Sequence, residues 1–535
     1  MTISDMSKVI YNYDDFISLA SILSQLGFID NSIYSKDCEK INEKFIKESR
    51  TTYKNEKGII EYLEGSQLVT RHGVLLTWKH LFQNLDNYSI KLNQHEDTTF
   101  VELINVITHV QELEMDYRET DLKSYINANS FFNRYDTASH QYARTFFLFI
   151  YSPYKEGSKG AASLENLKDA FITKYQMQLE SYIYLTAALV FTVLELYENN
   201  KEFNSETWSI SLSSFPFKDI LLDQFKQLLL EISFDLDEGK EWFVNELAIN
   251  QKTHENFMFD LFTNKPFLKI DSNSYIPIER KGMEDLLFHS LYSKLLESFS
   301  KDDKRRVSFR NDFGFMLESY VSWLIVKTAD YNNIYRAKEE FLYDNSSKRS
   351  PDVFLIYNDY VLVIEVKSYR VKKDVIRDYA RKKSIDDSYQ KNTVKPLNQI
   401  KNAMLDIIQK EITPALTADM KYYFMTIAMD NFPTANSMRK TLIEELIGFN
   451  TQFNLMGIFS LSIEEFELFV EVINSTQTPF NDYLDDYYNL PDDISFKNFI
   501  NSKNKSIKDK DRRGPFDALR KKAQNEINNF FNIFP

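Results

Sequence analysis

The stretch Ser350-Pro351-Asp352-Val353-Phe354-Leu355-Ile356-Tyr357-Asn358-Asp359-Tyr360-Val361-Leu362-Val363-Ile364-Glu365-Val366-Lys367-Ser368 decides the fold of the C-terminal half. Two strongly apolar runs flank Asn358-Asp359, and Asn and Asp tolerate the left-handed backbone that a two-residue hairpin turn demands. With that pair as the loop, Tyr357 faces Tyr360. Counting outward then sets Asp352 opposite Glu365, with Cβ atoms roughly 4.5–5.5 Å apart. Side-chain alternation puts Val361, Val363, Glu365 and Lys367 on one face and Leu362, Ile364 and Val366 on the other. Opposed carboxylates repel and are costly to desolvate. A divalent cation with oxygen ligands, Mg²⁺ or Mn²⁺, resolves the conflict and can render a bound water nucleophilic. Lys367 is then placed to orient or help deprotonate that water and to offset phosphate charge.

Upstream, the run FGFMLESYVSWLIVK reads as a helix with an apolar stripe at Phe313, Leu317, Val321, Leu324 and Ile325. Glu318 shares a face with Val321 and Ile325, so its carboxylate faces inward or sits at the stripe's edge, as an extra metal ligand or, alternatively, a rim Glu in solvent. The expected order is helix (309–329), strands 332–343, 352–357 and 360–368, a helical region 372–410, strands 421–429 and 453–460, and a helix 462–474. This mixed α/β order suits a small sheet flanked by helices.

These residues resemble the PD-(D/E)XK nuclease superfamily: Pro351-Asp352, twelve residues, then Glu365-Val366-Lys367, with a helical Glu318 before them. Gln399, in KPLNQIKNAM, stands where some branches carry an auxiliary Gln. The resemblance covers roughly 305–475. It implies a restriction-endonuclease-like core, with Asp352 and Glu365 as metal ligands, the Val366 carbonyl as a further ligand, Lys367 serving the attacking water and Glu318 and Gln399 assisting. The implied activity is Mg²⁺- or Mn²⁺-dependent hydrolysis of DNA, in the manner of prokaryotic defence nucleases that carry large accessory regions. An RNase, a nuclease active only within a complex, or an inactive nucleic-acid or protein binder on the same fold are the alternatives.

Charge distribution fits a polyanionic partner better than the total of −14 does. Residues 301–410 hold 22 Lys and Arg against 16 Asp and Glu, and residues 501–535 hold 9 against 4. Arg370, Lys372, Lys373, Arg377, Arg381, Lys382 and Lys383 leave the ExK strand directly, placed to contact phosphates that flank the scissile bond. Tyr369, Tyr379 and Tyr389 are interleaved with them and suit packing on sugars or bases. The alternative is a solvated basic face.

The rest of the 535-residue chain sets limits. Twelve Gly and twelve Pro leave few tight turns, which disfavours an all-β fold. One cysteine, Cys38, excludes a disulfide framework and CxxC zinc sites. The histidines, among them His72, His80, His95, His109 and His140, lack a common ligand spacing, and there is no HExxH or Walker A motif. No signal peptide is evident, and the apolar run 181–197 reads as a buried core helix, so a cytoplasmic protein is expected. Residues 1–255 read as successive helices, with stripes such as Phe16/Leu19/Ile22/Leu23/Leu26 and Ile220/Leu221/Phe225/Leu228/Leu229/Ile232. This region is expected to sense, scaffold or oligomerise. A hairpin-helix connector follows (256–304, hairpin 265–279, helix 283–299), then the nuclease domain (305–490) and a basic tail (491–535) read as a linker with a short helix from Phe516.

Overall fold

The computed structural model describes residues 16–29, 36–52, 68–88, 100–108 except 102, 137–151, 159–199, 208–250, 259–300, 304–371, 382–431, 454–490 and 494–533. It is mixed α/β, with mixed sheets flanked by helices. Helices used below are α1 (Phe16–Gly27), α2 (Arg71–Gln83), α3 (Ala138–Phe146), α4 (Leu179–Asn199), α5 (Lys304–Tyr331), α6 (Lys395–Gln409), α7 (Ile463–Thr476), α8 (Phe496–Lys505) and α9 (Pro515–Ile533).

A small four-stranded sheet holds β1 (Ile210–Ser211), β2 (Ser233–Phe234), β3 (Phe267–Lys269) and β4 (Ser274–Pro277), in the order β1-β4-β3-β2. Its hairpin is the expected one. Asp271 Oδ1 accepts from the backbone N–H groups of Asn273 and Ser274 at 2.7 and 2.8 Å, which closes the turn. The region before 255 is mainly helical, as expected, with two short strands added: β1 and β2 pair with the hairpin. Two-residue strands carry no readable alternation. Ile220 is also turned outward, 73% exposed, although its stripe-mates Leu221, Phe225, Leu228, Leu229 and Ile232 are buried.

The larger sheet runs β9-β8-β7-β6-β5, where β5 is Arg336–Glu339, β6 Val353–Tyr357, β7 Tyr360–Lys367, β8 Lys421–Ala428 and β9 Asn454–Ser462. β5, β6 and β7 are antiparallel neighbours, whereas β7, β8 and β9 are parallel. Helices cover both faces, which is why the central strands read as continuous apolar runs. Val353, Leu355, Leu362, Ile364 and Val366 join one core cluster with Phe313, Leu317, Val321 and Leu324 of α5. Phe354, Ile356, Val361 and Val363 join the other with Leu397, Ile400, Met404 and Ile407 of α6. The helix α5 begins earlier than its apolar stripe, and β5 is shorter than the expected strand 332–343.

The core is continuous along the chain. The cluster on the α5 side runs from Phe16 in α1 to Ile527 in α9, without a break at residue 300. Helix α4 is long and apolar enough to cross a membrane, but Leu179, Ile183, Leu185, Leu189 and Val190 are buried in this core. The stretch read as a linker after Pro491 instead contains α8, and α9 follows it. Ser495 caps α8 by accepting from Asn498 N–H at 3.2 Å. Gly514, at φ +102°, lets the chain turn into α9 against Asn474.

Candidate active site

The β6–β7 ladder ends at Val353 opposite Ile364, so Asp352 and Glu365 stand one step beyond it in the expected register. Asn358 takes the left-handed conformation in the turn, φ 51°. The last residues of the two strands then project polar side chains beyond an apolar ladder. Asp352 Oδ2 accepts from the backbone N–H of Val366 at 2.6 Å. Lys367 Nζ donates to Glu365 Oε1 at 2.6 Å. Glu365 is 8% exposed.

Glu318 arrives from α5, the layer on the opposite face. The helix passes close to the end of β7: a Cβ on Gly314 would lie 3.2 Å from Ser368 Oγ. One turn beyond Gly314, Glu318 lies in the electrostatic field of Lys367 and Glu365. Burial pushes its carboxyl up to about 7; Lys367 works against the shift and Glu365 adds to it. Burial likewise pushes Asp352 up to about 8, with Glu365 and Glu318 adding to the shift. Glu365 is raised by burial despite the opposing pull of Lys367. Burial disfavours the Lys367 charge, but Glu365, Asp352 and Glu318 outweigh it and hold the ammonium above the ordinary lysine value.

Burial therefore raises all three carboxyls above the range of exposed carboxylates, and the one ammonium among them offsets this only in part. A hard divalent cation with oxygen ligands fits that donor set. Glu318, Val366 and Lys367 also line a cleft of about 790 Å³ that opens to solvent.

A second acid cluster lies elsewhere. Among the described residues, the ligand atoms of His140, Glu464 and Glu467 are the triplet within 4.8 Å of one another. Arg144, fully buried, already engages it. Its Nε and Nη2 donate to the two oxygens of Glu467 at 2.7 and 2.8 Å, and Tyr320 Oη donates to the same carboxylate at 2.7 Å. Glu464 accepts from the Thr137 N–H at 2.7 Å. A resident guanidinium makes this an ion-pair network rather than a cation site. Sequence reading missed it. The signal was present as Glu464, Glu467 and Glu471 at helical spacing on an otherwise apolar helix.

The other expected site residues are placed as follows. Gln399 is exposed on α6, because Leu397, Ile400, Met404 and Ile407 set the inward stripe and position 399 falls about 100° from 400. Instead, Asn392 and Thr393, in the π-helical turn Gln390–Val394 before α6, are buried near the parallel strand ends. Thr393 Oγ1 lies 3.1 Å from Ser460 Oγ, which accepts from Thr426 Oγ1 at 3.0 Å, and Thr426 is the β8 register partner of Glu365. Arg370 is tied inward, to the His289 carbonyl at 3.2 Å and to Asp430 at 3.4 Å, with its guanidinium 5.4 Å from the Tyr292 ring. Lys372, Lys373, Arg377 and Arg381 lie outside the described residues, as do His95, His109 and Tyr379; Lys382 and Lys383 begin the helix Lys382–Tyr389.

No family model, curated protein or solved structure matches this chain.

Proposed function

We propose that the protein is a metal-dependent nuclease that hydrolyses DNA phosphodiester bonds, on a core of the restriction-endonuclease-like type. The observation that carries this reading is the placement of Asp352, Glu365 and Lys367 at one end of a buried hairpin, beside Glu318 and an open cleft. A resemblance in sequence and the sheet order with helices on both faces support it.

Asp352, Glu365, Glu318 and the carbonyl of Val366 would hold Mg²⁺ or Mn²⁺. Such an ion supplies Lewis-acid stabilisation of the phosphate and a lowered pKa for its water. The chain's own residues do the remaining work. The Val366 N–H fixes the Asp352 carboxylate in place. Glu365 draws Lys367 to the strand end, where its ammonium faces the cleft. There it donates a hydrogen bond and stabilises charge that develops on the phosphoryl oxygens. Water adds at phosphorus, one P–O ester bond breaks, and the products are a phosphomonoester and a hydroxyl end. The association with a prokaryotic defence system follows the resemblance.

The test is incubation of purified protein with linear and covalently closed circular DNA, with Mg²⁺ and with chelator. Mg²⁺-dependent cleavage is expected. Intact substrates under all conditions, for a folded protein, refute the reading. Linearised circles identify internal cutting.

A further inference from the structure

The cleft beside Lys367 has two unlike walls. One is the strand end and α5, carrying Glu318, Asp312, Lys367, Arg310 and Phe315. The other is the start of the helix Lys159–Tyr175, which contributes Ala162 and Asn166, both small and uncharged. Tyr369, two residues beyond Lys367, also lines it. Two features set the lining apart from an ordinary polar crevice. Tyr369 and Phe315 are 43% and 37% exposed, and large rings in contact with water are uncommon in a chain that buries most of its 75 Phe and Tyr residues. Arg310 is exposed, with no carboxylate at ion-pair distance among the described residues, and Lys391 Nζ lies 4.9 Å from the Tyr369 ring.

Exposed rings interleaved with cations form the surface on which unpaired bases stack while the backbone follows the charge. In a duplex those base faces are already covered by their neighbours.

We propose that the substrate is a single strand of DNA. It lies between the helix Lys159–Tyr175 and α5, with a base on Tyr369 and a neighbouring phosphate at Arg310. The proposal rests on the nuclease reading for the identity of the nucleic acid. It also gives the region before residue 255 a direct part in substrate selection, since one wall of the cleft belongs to it.

The experiment measures fluorescence anisotropy in Ca²⁺ with a labelled 20-nucleotide single-stranded DNA, its blunt duplex and the RNA of the same sequence, followed by cleavage of each in Mn²⁺. Single-stranded DNA is expected to bind at least about tenfold more tightly than the duplex. Tyr369→Ala is expected to weaken it by about 5- to 150-fold, the range for loss of one stacked base. Tyr369→Phe, which keeps the ring, should hold near wild-type affinity. The melting temperature of each variant shows that it is folded. Equal or tighter duplex binding, a Tyr369→Ala affinity unchanged for the single strand, or binding of RNA alone would overturn the proposal. Binding of the single strand without cleavage in any metal would refute the nuclease reading and leave the strand preference standing; efficient cleavage of duplex only would do the reverse.

Discussion

At the scale of single residues the account turns on Lys367. Its ammonium sits 2.6 Å from Glu365 and lines the cleft, so its contribution belongs to charge that appears in the transition state. Lys367→Ala should lower the single-turnover cleavage rate at least about 100-fold, equivalent to about 2.7 kcal/mol. The carboxylates remain, so the rise in melting temperature on adding Mn²⁺ should persist. Asp352→Ala should lose both cleavage and that rise, by linkage between ligand binding and folding. A Lys367→Ala variant with full activity removes the residue from the mechanism, and one that no longer responds to Mn²⁺ makes it a structural partner of Glu365. Arg144 gives the corresponding structural case. It is fully buried between Glu467 and Glu464, and Arg144→Ala leaves acids without their cation. Urea unfolding should show a loss of about 3–5 kcal/mol. A loss below 1 kcal/mol would mean that water or another cation replaces it.

At the scale of elements, what was legible followed periodicity and turn chemistry. The hairpin register was readable because Asn358-Asp359 permits a two-residue loop, and the burial of both strand faces then fixes which residues oppose. The helix α7, expected over 462–474, begins where Ser462 and Glu465 exchange the reciprocal hydrogen bonds of a capping box. Helical phase placed Glu318 at an edge of α5, and the resemblance assigned it to the strand-end site; the approach itself depends on the close contact of Gly314 with Ser368. Gln399 illustrates the opposite failure: helical phase, which the apolar residues beside it set, turns it to solvent. The helix expected from Phe516 is α9, but the stretch before it reads as a linker because its lysines suggest solvation, whereas Phe496, Phe499 and Ile500 are buried on α8. Docking of that tail is testable at Gly514. A Cβ there would lie 2.5 Å from Asn474 Cβ, and φ +102° is strained for any other residue. Gly514→Ala should destabilise the protein by at least about 1–3 kcal/mol in thermal or urea unfolding. An unchanged stability would mean that α9 is not held to α7 as described.

At the scale of the whole molecule, a buried polar network links helices far apart in sequence. Helix α7 presents Glu467 to Arg144 of α3 and Tyr320 of α5. It presents Glu471 to Arg512 and Arg520, both at 2.9 Å, and to His140 at 3.5 Å. Burial opposes ionisation of Glu471, but His140, Arg520 and Arg512 outweigh it and hold its carboxyl down at about 2. A depressed carboxylate contributes stability that is present above its unfolded value, near 4.5, and is lost as pH falls toward 2. The full contribution is about 3 kcal/mol. Glu471→Gln should therefore flatten the stability profile between pH 4.5 and 2 relative to wild type, as followed by urea midpoints. Parallel profiles would place the acid sensitivity elsewhere. The same network sets α5, and with it Glu318 and Arg310, against the helices of the N-terminal region.

The central claim is that the strand-end carboxylates make this protein a metal-dependent nuclease. It is tested most directly by comparing wild type and Glu365→Gln, purified identically, on single-stranded and duplex DNA with Mg²⁺ or Mn²⁺ and with chelator. The account predicts cleavage by wild type that requires the metal and is absent in Glu365→Gln, at closely similar melting temperatures without metal. Equal cleavage by the two proteins, or none by a folded wild type on any of these substrates, would contradict it.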